Sequence, residues 1–169
     1  MPRLFGGNYT REELLQRVGR LDQVAGVQLV ERADGAERGV RVLEFRTGSG
    51  FEFDVIVDRA MDIGRCEHQG RALGWQSATG FSGPWYFEPQ DLGWLRGFGG
   101  GLVTTCGMEH ALFMAEDTAE HHHYPAKTSE KYGLHGRVSY TPARLTGYGV
   151  RWDGDEATLW AEGEIQQAA

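Results

Sequence analysis

Val40-Arg-Val-Leu-Glu-Phe-Arg-Thr-Gly-Ser-Gly-Phe-Glu-Phe-Asp-Val-Ile-Val-Asp58 is the stretch whose reading decides the fold. Phe51, Phe53, Val55 and Val57 alternate with Glu52, Asp54, Ile56 and Asp58. A period of two sends successive side chains to opposite faces of a sheet, so this segment reads as a half-buried strand. The run 40–45 reads as its hairpin partner, with Thr47-Gly-Ser-Gly50 as the turn. Outward from there the pattern repeats. Residues 63–67 and 71–75 form a hairpin across Gln69-Gly70, and 144–152 and 157–165 bracket Asp153-Gly154, a strong hairpin signal. Residues 102–105 read as a short strand, 78–100 as irregular chain anchored by Phe81, Trp85, Tyr86 and Phe87, and 114–132 as a polar loop without a period. Towards the N-terminus, Thr10-Arg-Glu-Glu13 is a capping box opening a short helix with Leu14, Leu15 and Val18 on one face and Gly19 to end it.

The expectation is an all-β fold, an antiparallel β-sandwich with one short N-terminal helix. The last strand would present an open edge. The 169 residues suit one domain with a real core, and the 25 glycines fit a turn-rich β protein. A net charge of −7 argues against a general electrostatic grip on nucleic acid. No apolar run approaches a membrane span, and Met1-Pro-Arg-Leu-Phe-Gly-Gly-Asn8 has no signal-peptide core, so the expectation is a cytoplasmic protein with no membrane partner. Cys66 and Cys106, outside any Cys-x-x-Cys pair, read as free thiols.

Two glycine-rich segments, 99–110 and 133–143, concentrate polar side chains that suit a small-molecule pocket. His135 lies between glycines at an expected strand entrance, and histidine suits proton transfer near neutral pH. Arg137, two residues on, would share its side of the strand and could fork onto hydroxyls or a carboxylate; a surface ion pair is the other reading. Thr104, Thr105 and His110 line a pocket or satisfy local backbone groups. Glu109 and His110 would face opposite ways in a strand. Asp58-Arg59-Ala-Met-Asp62 ends the amphipathic strand as a sugar-binding cluster or as a buried ion-pair network. Trp75, Trp94 and Arg96 could wall a pocket, with core packing favoured for Trp75. His121-His-His123 has the wrong spacing for a metal motif, so no metal is expected. Gly99-Gly-Gly101 lacks the Lys-Ser/Thr of a phosphate loop.

The set Arg3-Leu-Phe-Gly, Tyr9-Thr10, Asp58-Arg59-Ala-Met-Asp-Ile-Gly64, Trp75-x-Ser77, Gly93-Trp-Leu-Arg-Gly-Phe98, Gly101-Leu-Val-Thr-Thr-Cys-Gly107 and Gly133-Leu-His-Gly-Arg137 resembles the bacterial aldose-1-epimerase-like proteins of the galactose-mutarotase-like superfamily. The resemblance runs in order over essentially the whole chain. It implies the mutarotase-like supersandwich with a carbohydrate on its concave face and acid–base interconversion of sugar anomers or epimers without a cofactor. A non-catalytic carbohydrate-binding protein is the alternative. By the resemblance His135 occupies the Leu-His-Gly position of the sugar site. Arg59 is a sugar contact, and Asp62, Trp94, Arg96, Thr105, His110 and Arg137 are the remaining candidates. Proteins of that superfamily are much longer, so residues 1–169 are expected to be the N-terminal part of one incomplete sandwich, whose exposed sheet would favour a homo-oligomer. The acid and base of the reaction are expected beyond Ala169.

Overall fold

The computed structural model describes residues 3–120 and 126–168. The chain opens with a small hairpin, β1 (Arg3–Leu4) and β2 (Gly7–Asn8), followed by the helix α1 (Arg11–Arg17). The capping box is formed: the Glu13 amide donates to Thr10 Oγ1 at 3.1 Å, and the Thr10 amide donates to Glu13 Oε2 at 2.8 Å. The helix stops at Val18, in an extended conformation, one residue before the expected glycine.

Five strands then make one antiparallel sheet in chain order: β3 (Gly26–Glu31), β4 (Arg41–Arg46), β5 (Phe51–Ile56), β6 (Asp62–His68) and β7 (Arg71–Ala72). The register sets Phe45 opposite Phe53 and Leu43 opposite Val55, as the alternation requires. After Ala72 the chain leaves this sheet. β8 (Trp75–Gln76) pairs instead with β9 (Gly100–Gly101), so the second hairpin is shorter than the sequence suggested. Residues 102–105 do not form the expected strand; Val103 makes a single bridge to Ile63. The polar stretch hides a hairpin of β10 (Ala115–Thr118) and β11 (Ser129–Tyr132), whose strands are exposed or half-exposed and so carry no apolar alternation. The trio His121 to His123 lies outside the described residues.

The last hairpin, β12 (Arg144–Asp153) and β13 (Glu156–Glu164), supplies the second layer. Leu145, Leu159, Ala161 and Ile165 pack on Leu43, Phe45, Val55 and Val57, and that interface is the core of a β-sandwich. The opposite sheet face is also covered. Val40, Val42 and Ile56 pack with Phe81, so β5 ends buried on both sides. Phe87 packs into a third cluster, but Trp85 and Tyr86 remain exposed and do not anchor 78–100.

The buried Asp54 carboxylate takes Arg32 at 2.9 Å and Arg65 at 3.2 Å, and Asp58 takes Arg41 at 2.6 Å. Asp58 therefore follows the ion-pair reading of its motif. Both cysteines are free, Cys66 buried and Cys106 exposed. No helix among the described residues is long and apolar enough to cross a membrane.

Candidate functional site

Arg59 and Asp62 flank the turn that joins β5 to β6. Its central residues, Ala60 (φ 54°) and Met61 (φ 61°), are both left-handed. Side chains disfavour that region by roughly 1–2 kcal/mol per residue, so the surroundings must hold the turn. The Ala60 amide donates to Thr141 O and the Asp62 amide to Arg59 O. The turn drives two charged side chains inward, leaving Arg59 2% and Asp62 4% exposed.

Arg59 spends its guanidinium on backbone. Nε donates to Ser139 O at 2.7 Å, and Nη1 donates to Ser82 O and Gly97 O at 3.1 Å each. The plane lies 3.9 Å from the Tyr140 ring centroid. No carboxylate among the described residues comes within salt-bridge distance, and burial pulls the Arg59 pKa down. Asp62 accepts the Thr105 amide at 2.6 Å. Burial pushes its carboxyl up to about 6; the Thr105 bonds and the Arg59 charge work in the opposite direction.

Tyr140 links this pair to an aromatic cluster. Its hydroxyl donates to Trp94 O at 2.7 Å. Trp94 is buried, stacks on Phe98 at 4.8 Å and donates through Nε1 to Ser139 Oγ at 2.7 Å. Phe98 in turn stacks on Trp75 at 6.0 Å. Trp75 itself is 64% exposed, which corrects the core-packing expectation.

The His135 and Trp94 rings meet at a steep angle of 67°, their centroids 4.7 Å apart. His135 lies in a turn with φ 58°, not at a strand entrance, and so does not share a strand face with Arg137. Its Nδ1 accepts the Leu112 amide at 3.1 Å. An imidazole nitrogen that accepts carries no hydrogen, so the neutral ring bears its hydrogen on Nε2.

His110 sits nearby, with Nε2 bonded to Phe113 O at 2.6 Å and its ring stacked on Tyr132. It is half-buried in a turn, which frees it from the strand rule that opposed it to Glu109. Glu109 pairs with Arg137 at 3.2 Å, and Arg137 also donates to Ala168 O. A shallow hollow of about 180 Å³ opens here, lined by Glu109, Glu130, Tyr132 and Arg137 among others. A larger hollow of about 450 Å³ lies elsewhere, among Leu4, Leu14, Phe45, Phe53 and Leu159; it is a gap beside the apolar core.

The fold thus links Thr105, Asp62, Arg59, Tyr140, Trp94 and His135 in one chain of contacts, with His110 and Arg137 nearby. Arg96 stands apart, in an exposed ion pair with Glu88. Tyr140, Ser139 and Phe98 escaped the sequence reading because nothing local marks a tyrosine or serine as the far partner of an arginine. The glycines at 99–101 approach protein rather than ligand. A Cβ on Gly100 would meet Trp75 O at 2.4 Å, and one on Gly101 would meet Ile63 O at 2.5 Å. No cluster of three metal-ligating side chains occurs among the described residues.

With this geometry in hand, comparison with known proteins settles the family. Residues 37–169 match the model of a domain of unknown function, DUF4432. The chain belongs to the DUF4432 family. No curated protein matches it. Among solved structures, a crystal structure described as a "putative aldose 1-epimerase" from Klebsiella pneumoniae is similar, with a TM-score of 0.68 and 24% identity over 85% of this chain. At that identity the DUF4432 chain shares its fold, the aldose-1-epimerase-like sandwich. It spans 35% of that protein's length.

Proposed function

We propose that this DUF4432 protein binds carbohydrate and acts, in the manner of an aldose 1-epimerase, by interconverting sugar anomers or epimers through acid–base catalysis. The observation that carries the reading is Asp62: a buried carboxyl pushed up to about 6, connected to His135 through Arg59, Tyr140 and Trp94. Such a carboxyl exchanges its proton near neutral pH, as a general acid or base must. His135 offers a hydrogen from Nε2 to a sugar oxygen, and Trp94, Thr105, His110 and Arg137 shape the surroundings. Arg59 acts by holding three carbonyls in place. Arg96 is left out of this reading. Anomer exchange needs one group to protonate the ring oxygen and another to take the anomeric hydroxyl proton. The ring opens, the carbonyl rotates and the ring closes on its other face, with no cofactor.

The near-complete burial of Arg59 and Asp62 favours a second reading, a carbohydrate-binding protein without catalysis. Polarimetry on a panel of free aldoses, with calorimetry on the same panel, separates the two. Accelerated anomer exchange that falls in Asp62→Asn supports the enzyme, and binding without exchange supports the second reading. Neither binding nor exchange across the panel removes both.

A further inference from the structure

We propose that His135 and Leu112 form a proton-operated latch: the neutral imidazole holds the 107–114 segment against the fold, and a proton on Nδ1 releases it. The latch does not depend on which ligand the neighbouring site takes. Among the described residues, the segment's bonds to the rest of the molecule converge on one stretch. The Leu112 amide donates to His135 Nδ1 at 3.1 Å, the His135 amide donates to Leu112 O at 2.9 Å, and Glu109 pairs with Arg137 at 3.2 Å. The segment's remaining hydrogen bonds among the described residues are internal, a bridge from Gly107 to His110 and the bond from His110 to Phe113 O, and the His110 ring adds a stack on Tyr132.

The segment is also strained and lightly covered. Met108 (φ 63°) and Leu112 (φ 72°) are left-handed without being glycine. Met108 is 61%, Leu112 66% and Phe113 77% exposed, so little apolar burial holds them down. Removing one tether lets the strained residues relax.

Protonation removes one tether by simple chemistry. An imidazolium bears hydrogen on both nitrogens, so Nδ1–H would confront the Leu112 N–H, donor against donor. Among the described residues, the charged and titratable groups on the elements packed next to His135 include Glu109, Arg137 and His110, with Tyr132 behind His110 and Tyr140 behind Trp94. The first two are engaged with each other, and His110 bonds within its own segment. From the 3-10 turn at Gly93–Gly97, the neighbour packed on the ring is the uncharged indole of Trp94.

Nitrogen-15 NMR of the whole chain tests this, with the His135 ring nitrogens and the Leu112 amide followed together across pH. The expected result is that the Leu112 amide loses its hydrogen-bonded shift with the same midpoint as the ring. Corrected amide exchange over 107–114 should accelerate roughly tenfold at that midpoint. His135→Asn keeps an acceptor near the Nδ1 position, tolerates the left-handed backbone and does not titrate, so its Leu112 signal should stay bonded at every pH. A Leu112 signal that stays flat through the ring titration overturns the latch. So does a pH response that survives in a folded His135→Asn. If that variant does not fold or does not hold Leu112, the co-titration in the natural sequence decides alone.

Discussion

His135 and Leu112 bond each other twice, amide to ring nitrogen and amide to carbonyl, and both residues are left-handed. Neither conformation is one that its side chain favours. The pairing shows how the fold holds an exposed loop against an aromatic cluster without burying it. It also fixes which ring nitrogen of His135 carries the hydrogen. The same economy recurs at Asp62 and Thr105, where one carboxylate oxygen tethers a loop amide to the strained turn at Ala60 and Met61.

The first prediction concerns Arg59. Arg59→Ala would orphan three buried carbonyl oxygens and remove the cation over Tyr140. The expected loss is on the order of 3–5 kcal/mol, read as a fall in the urea midpoint. Arg59→Lys keeps the charge, but one ammonium cannot span carbonyls reached from two guanidinium nitrogens, so an intermediate loss is expected. A midpoint for Arg59→Ala close to the natural protein's would show that the carbonyls find other partners.

Asp62 sets a pH dependence. Its carboxyl is raised from 3.8 to about 6, chiefly by burial. The folded protein therefore holds this proton more tightly than the unfolded chain does. Charging Asp62 then works against folding as pH rises from about 4 to about 6, by up to on the order of 3 kcal/mol. Asp62→Asn keeps an acceptor for the Thr105 amide and removes the charge. It should be more stable at pH 7 by about 1–3 kcal/mol and show no gain near pH 4. Denaturation across that range decides it, and equal stabilities at both ends would mean that the carboxyl titrates as an ordinary one.

How much of this was legible beforehand follows from how local each signal is. The hairpins around β4, β5, β12 and β13 and the Thr10 cap are written in short-range periodicity and turn chemistry, and the structure has them. The strands β10 and β11 are nearly solvated, so no burial imposes an alternation on Ala115–Thr118 or Ser129–Tyr132. Core packing is the favoured expectation for a tryptophan such as Trp75, yet it sits on a two-residue strand, stacked on Phe98 and largely exposed. In the candidate site, the Asp58 to Asp62 motif was recognisable, but its division of labour was not. Asp58 goes to Arg41, Arg59 to carbonyls 23 to 80 residues away, and Asp62 to an amide 43 residues on. Such partners are set by long-range packing, which no local window contains.

Gly101 offers a backbone test of how the loop after β9 meets β6. Its φ is +111°, and a Cβ would stand 2.5 Å from Ile63 O. Gly70 has φ +73° with nothing within 4 Å of the same position. Gly70→Ala should cost about 1 kcal/mol, the conformational term alone. Gly101→Ala should cost well beyond that, because the clashing atom is backbone and cannot swing away. Thermal unfolding of the two variants side by side checks this, and equal losses would mean that the β6 contact can give.

Trp94 and Ser139 give the most direct test of the aromatic cluster. The Nε1 to Oγ bond of 2.7 Å joins a side chain 5% exposed to one that is fully buried. Trp94→Phe keeps an aromatic ring against Phe98 but leaves Ser139 Oγ without its donor, and Ser139→Ala orphans the indole N–H instead. Each should cost about 1–3 kcal/mol, since a buried polar atom is left unsatisfied. The double variant removes both partners together, so its loss should fall short of the sum by roughly 0.5–3 kcal/mol. Urea denaturation of the four proteins measures that coupling. Losses that simply add would mean that the bond contributes nothing specific, and that stacking on Phe98 and the Tyr140 bond hold Trp94 in place.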